Sequence, residues 1–178
     1  QGSLTPTQGE LDLAIDGDGF FMVGDGSGRE SNVRLTRDGR FTRDPQGELA
    51  MLGTGMKVLD DRQRTIEVPP GPLTVGPDGL VTQGEEELGR IGMVSVPDTN
   101  ALRKLGDGLI DSGSQTGRLT RADDSTLWQG YLESSTVEPV LEMAGLVEIG
   151  RAVEANAKLM QAQDLLTGQA INTFGKVT

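Results

Sequence analysis

Cysteine and histidine are both absent from the 178 residues. Without cysteine there is no disulfide, no thiolate nucleophile and no cysteine metal site. A cysteine-free chain suits either redox environment, so the compartment stays open. Without histidine the commonest general base and the commonest transition-metal ligand are gone, which leaves carboxylate pairs and hydroxyl–lysine pairs as routes to catalysis. Aromatic residues make up only 3% of the chain. No apolar stretch approaches the roughly 20 residues that span a bilayer as a helix. Basic residues are outnumbered, 16 against 27 acidic ones, for a net charge of -11. That balance opposes nonspecific attraction to nucleic acid or to an anionic membrane surface, and no basic run offsets it. No basic start followed by an apolar core is visible, and because the chain begins at Gln1 rather than Met, its start carries no information about a leader.

Glycine, by contrast, is abundant at 26 residues. It relieves the steric cost of positive φ, so many tight turns are expected. From Leu11 to about Leu132 short apolar runs alternate with DGDG, DGSG, RDGR, DPQG, LGTG and GPDG. Strands expected from these runs are Leu11–Ile15, Phe20–Val23, Val33–Thr36, Phe41–Arg43, Leu49–Met51, Lys57–Leu59, Thr65–Val68, Leu73–Val75, Leu80–Thr82, Arg90–Val96, Leu109–Asp111 and Thr126–Leu132. Runs about 8–12 residues apart with turn residues between them predict an antiparallel β domain of hairpins. GPDG between LTV and LVT is the cleanest hairpin signal, and TRDGRFTRDPQGEL reads as a hairpin followed closely by another turn. In PDTNALRKLG, Asp98 or Thr99 is placed to cap one short helical turn ended by Gly106.

After Ser135 the period changes. Pro139 is tolerated in a first helical turn, Ser135 or Thr136 can cap it, and Glu138 and Glu142 favour its positive end. The expectation is one helix from about 139 to 173, roughly 50 Å long. Met143, Leu146, Gly150, Val153, Ala157, Met160, Asp164, Thr167, Ile171 and Phe174 recur in steps of three and four, and Val147, Ile149, Leu159, Leu165 and Leu166 widen the stripe. This is a heptad-like seam interrupted by poor seam residues. A helix of that length overhangs a domain of about 130 residues, roughly 30 Å across. The chain holds no second long helical pattern, so the seam's partner is expected outside these residues or in another subunit.

The chemical readings of DGDG fail in turn. A calcium loop of the EF-hand type that starts at Asp16 has Phe20 at its fifth position and Ser27 at its twelfth, where ligands are required. GDGSG lacks the GK[ST] ending and the following helix of a phosphate loop. Carboxylate pairs for glycoside hydrolysis are easy to draw among 27 acids, but many of these sit in turns, and no aromatic platform supports them. No SxxK motif supports serine–lysine catalysis. Trp128 and Tyr131 are expected to pack where the last strand meets the helix. LDLAIDGDGFFMV thus reads as strand, tight turn, strand, with Leu11, Leu13, Ile15 and Phe21 facing the core.

Three blocks together resemble bacterial flagellar rod and hook proteins. QGSLTPTQGELDLAIDGDGFFMV at 1–23 is similar to the family's QGxLxxT stretch leading into LDxAIxGxGFF. RLTRDGRFTRDPQGELAMLGTGMKVL at 34–59 is similar to its TRDGxFxxDxxGxLxxxxGxxVL segment, and QGYLESSTVEPVLEMAGLVEIGRAVEANAKLM at 129–160 to its QGxLExSNVxxVxEM ending and long helix. Thr136 stands where asparagine is usual and Val153 where an aromatic is usual. The resemblance implies a basal-body rod protein of proximal- or distal-rod type, with an N-terminal helical segment ahead of QGSL that the 178 residues lack. It further implies export unfolded through the flagellar type III channel, a place in the periplasm-spanning rod, and helical self-assembly through terminal helices that transmits motor torque to the hook.

The expected organisation is therefore an extended leading segment (1–10), a glycine-rich, mainly β domain of antiparallel hairpins (11–134) and one long C-terminal α-helix (135–178). The expected assembly seam is Met143, Leu146, Val147, Val153, Ala157, Met160, Ile171 and Phe174. Expected partners are further copies and other rod or hook subunits, with no nucleic acid, membrane insertion, small-molecule substrate, catalytic residue, metal or cofactor. The alternatives are a hook protein of the same family and a calcium- or carbohydrate-binding β module.

Overall fold

Turn residues cut the first part of the chain into strands of two to five residues. The computed structural model describes residues 2–29, 32–134, 147–161 and 163. In chain order the strands are β1 (Leu4–Pro6), β2 (Leu13–Asp16), β3 (Phe20–Gly24), β4 (Arg34–Thr36), β5 (Phe41–Arg43), β6 (Leu49–Met51), β7 (Lys57–Val58) and β8 (Thr74–Val75). They continue as β9 (Leu80–Gln83), β10 (Glu86–Arg90), β11 (Met93–Ser95), β12 (Arg103–Gly106), β13 (Leu109–Asp111), β14 (Thr120–Arg121), β15 (Thr126–Gln129) and β16 (Tyr131–Glu133). The chain divides into two units, Gln1–Ser135 and Thr136–Thr178. The described part of the second is an α-helix, α1, over 147–161.

The largest sheet runs β12-β13-β4-β3-β7-β6-β5, with β11 joining β3 and β14 joining β11. The order β10-β9-β8 makes a second sheet, and the pairs β15-β2 and β1-β16 make two ribbons. The pairings are antiparallel, for example β3 with β4 through Phe21↔Thr36, Met22↔Leu35 and Val23↔Arg34. The mainly β, antiparallel expectation with one C-terminal helix holds.

β3 sits at the centre because FFMV is apolar at every position, the pattern of a strand covered on both faces. Phe21 and Val23 join a core with Leu13, Ile15, Phe41, Leu49, Ile66 and Ile91. Phe20 and Met22 point the other way, into a core with Val33, Leu35, Leu59, Val94 and Val96. Phe21 meets Phe41 edge-to-face at a centroid distance of 5.0 Å. Leu13, Ile15 and Phe21 are fully buried and Leu11 packs partly buried against the same core. Each such buried side chain contributes about 1.5–3 kcal/mol.

The GPDG hairpin forms as expected. Val75 pairs with Val81, Gly76 N–H donates to Leu80 O at 2.8 Å, and Gly79 takes φ +84°. DPQG likewise joins β5 to β6, and Asp44 Oδ1 accepts from the N–H groups of Gln46 and Glu48. Several expectations are corrected. RDGR is not a hairpin turn, because β4 pairs with β3 and β13; DGDG does link strand to strand as expected, from β2 to β3, although β2 pairs with β15. Arg90–Val96 is two strands that break at Ile91 and Gly92. A Cβ on Gly92 would lie 2.4 Å from the Met22 methyl and 2.8 Å from Asp60 O, so the backbone there is pressed against β3 and its neighbours. Thr126–Leu132 also splits, at Gly130 (φ +75°). Thr65–Val68 makes isolated bridges only, Leu59↔Thr65 and Glu48↔Glu67. The helical turn is a 3-10 turn at Thr99–Ala101, with the Asp98 carboxylate accepting from Asn100 N–H. Gly106 does not end it; it belongs to β12, which turns into β13 through Asp107 and Gly108 at positive φ.

RDGR is a crossing. Leu13 N–H donates to Gly39 O at 3.0 Å, and a Cβ on Gly39 would stand 1.5 Å from Leu13 O. Beside it Asp38 accepts from Arg40, at 2.9 Å from Nε and 2.6 Å from Nη2. Those side-chain bonds from Arg40 hold the Asp38 carboxyl below its ordinary value against the opposing effect of burial, and they raise Arg40 in turn.

The crossing is testable at both residues. Gly39→Ala should cost about 3 kcal/mol, because backbone and not a pliable side chain opposes the methyl, whereas Gly53→Ala, which meets nothing within 4 Å, should leave the urea midpoint in place. Asp38 has a depressed folded-state pKa, so its contribution is present above the unfolded carboxylate value and lost as pH falls through the folded one. Asp38→Asn should therefore be destabilised at neutral pH, with the gap to the parent closing below about pH 4. Urea titrations at several pH values check this; a constant gap would assign the effect to something other than the charge.

Candidate assembly site

In DGDG, Asp16 ends β2 and Asp18 lies in the turn after it, both exposed, and among the described residues no group of three acidic side chains is arranged to hold a metal ion. The glycines serve a close approach. A Cβ on Gly17 (φ +122°) would lie 2.6 Å from Ser125 Oγ and 2.9 Å from Ser125 Cα, and Gly19 N–H donates to Ser125 Oγ at 3.1 Å. The turn that carries β2 into β3 is thus fitted under the turn that leads into β15.

Where the chain enters and leaves the β unit, a two-stranded ribbon forms. β1 and β16 pair through Leu4↔Glu133, Thr5↔Leu132 and Pro6↔Tyr131. The leading segment is therefore a paired strand. At the ribbon's base Gly130 N–H donates to Asp12 O at 2.7 Å and Thr7 N–H to Gly130 O at 2.6 Å, while Thr7 Oγ1 donates to Asp12 Oδ2 at 2.7 Å. Gln129 uses its whole amide: Nε2 donates to Glu10 O and Leu73 O, and Oε1 accepts from Val75 N–H. Glu10 accepts in turn from Leu73 N–H. At the far end Glu133 Oε1 accepts from Gly2 N–H at 2.7 Å. Glu133 Oε2 lies 3.8 Å from Arg37 Nη1, and Arg37 also donates through Nη2 to Gly17 O at 2.7 Å with its guanidinium over the Phe20 ring. Arg37, Gln129 and Glu133 stand inside the segments that carry the family resemblance, but only the fold shows what they join.

The expected seam is partly described. Met143, Leu146, Ile171 and Phe174 lie outside the described residues. Val147, Val153, Ala157 and Met160 lie on α1, where all four are exposed. At 3.6 residues per turn, Ile149, Val153, Ala157 and Met160 fall within an arc of about 80°. Val147 stands about 80° beyond that arc, next to Glu154 and Lys158. Ile149, Val153 and Met160 are 62–66% exposed, an apolar stripe open along the helix.

Among the described residues no other region carries chemistry as strongly. A cavity of about 240 Å³ lies beside Met22, Arg90, Met93 and Arg121, but its arginines pair with Asp78 at 2.5 Å and Asp123 at 3.0 Å. Trp128 is 45% exposed and meets Tyr131 edge-to-face at 5.6 Å; the start of the helix against which both are expected to pack lies outside the described residues.

Residues 14–83 match the family model for the flagellar hook protein FlgE/F/G D1 domain, and residues 129–173 that for the flagellar basal body rod FlgEFG protein C-terminal region. The chain is 43% identical to a flagellar basal-body rod protein FlgF of Caulobacter vibrioides, across 99% of this chain and 71% of that protein. It is 35% identical to the FlgF of Mesorhizobium japonicum, across 98% and 71%, and 32% identical to the FlgG of Bacillus subtilis, across 96% and 68%. The chain belongs to the flagellar basal-body rod proteins, a family of structural proteins and not of enzymes.

Proposed function

We propose that this rod protein assembles helically and head to tail, with α1 packing through Ile149, Val153, Ala157 and Met160 against helices of neighbouring subunits. The observation that carries this reading is the open apolar stripe of α1. A helix with a continuous apolar face is stable in water when that face is covered. Contacts between non-identical surfaces propagate without closing, which suits a rod. Met143, Leu146, Ile171 and Phe174 extend the same seam in this reading, and Val147 flanks it. The assembled rod crosses the periplasm and transmits torque to the hook, and the subunit reaches its site unfolded through the flagellar type III channel. The absence of cysteine suits that route, since no disulfide has to form.

The test is a substitution on the stripe in the full-length protein. Val153→Asp with Met160→Asp should abolish rod assembly in cells while the β circular-dichroism signal of the purified subunit persists, because the substituted face supports contacts between copies and not the β cores. Rods of normal length and frequency in the double variant, seen by electron microscopy of isolated basal bodies, would overturn the seam.

A further inference from the structure

We infer that Glu133 and Arg37 form a latch that fixes the direction in which the chain enters the β unit at Gly2 and leaves it at Ser134. An isolated two-stranded ribbon is marginal in water, and β1-β16 has three residue pairs. Its base is secured by Asp12, Thr7 and Gly130. Its far end is closed within the ribbon by Ser134 N–H donating to Ser3 O at 2.8 Å and by the Thr5 and Ser134 hydroxyls at 2.6 Å. Those bonds join the two strands to each other, not to the body of the unit.

Glu133 supplies the link to the body. One carboxylate oxygen holds the incoming strand through Gly2 N–H, and the other faces Arg37. Glu133 Oε2 is shielded from solvent with no hydrogen-bond donor of its own, so the Arg37 charge is what offsets its burial. Arg37 is fixed in turn by Gly17 O, at a longer 3.4 Å by Ile15 O, and by the Phe20 face. A guanidinium suits this position, because its planar fork reaches two carbonyls and a carboxylate at once while its face lies on a ring. Entering strand, leaving strand, the end of β2 and the start of β3 thus meet at one ion pair. A load on either chain end passes through it to the doubly buried β3, a consequence that rests on the rod reading.

Hydrogen exchange on the full-length monomer tests the latch without any assembly, so its outcome is separate from that of the seam. Glu133→Gln keeps an acceptor for Gly2 N–H and removes the charge; Arg37→Lys keeps the charge and removes the fork. Glu133→Gln should speed exchange of the amides of residues 3–5 and 131–134 by about fivefold to tenfold. The amides of Leu49, Met51 and Ile91, bonded in the body of the unit, should keep the parent's rates. In the double variant the two effects should be less than additive, as for a contacting pair. The latch is overturned by unchanged ribbon exchange in Glu133→Gln, by an equal acceleration of ribbon and body amides, or by full additivity in the double variant.

Discussion

The double burial of β3 is the constraint on which the β unit depends. Four consecutive apolar side chains, Phe20 to Val23, must be covered from two sides, and with aromatics at 3% of the chain no few large residues can do it. The covering is done by many short strands that each deliver one or two small aliphatic residues. Short strands need frequent turns, and turns packed against a core need close backbone approach. The glycine content follows from that sequence of demands. Gly39 against Leu13, Gly92 against Met22 and Asp60, and Gly17 under Ser125 are places where the chain crosses a neighbour at a distance no side chain permits.

The sequence shows the strands more clearly than their partners. Where an apolar run is bounded by turn residues its limits are legible, as at Phe41–Arg43, Leu49–Met51 and Leu109–Asp111. β10 and β12 escape notice because EELGR and RKLG carry charge where a strand core would carry apolar residues, and both lie at sheet ends, β12 fully exposed and β10 partly. Edges tolerate and even favour such residues. The turn residues of DGDG and RDGR signal a reversal but not where the reversed chain pairs. Hairpin and crossing look alike until the partner strand is known, since both need glycine and a backbone-bonding aspartate. Breaks inside Arg90–Val96 and Thr126–Leu132 come from contacts with segments distant in sequence, at Asp60, Met22, Asp12 and Thr7.

The candidate site was legible in a different way. The α1 stripe is a local periodicity and can be read along one segment. The ribbon is not. Gly2 and Glu133 are joined across 131 positions, and Arg37 comes from a third segment, so no window of sequence holds the arrangement. Only likeness to a family places QGSL, TRDGR and QGYLES together, and likeness does not say which atoms meet.

The β unit and α1 differ in what they leave unsatisfied. In the β unit the large apolar side chains are mostly covered, the buried carboxylate of Asp60 receives donors from Arg62 and Arg64, and the cavity's arginines are paired. On α1 the apolar residues of the stripe are open and the charges gather on the other face. Among the described residues, open apolar area is therefore concentrated on the helix, the kind of surface on which the association proposed above would draw.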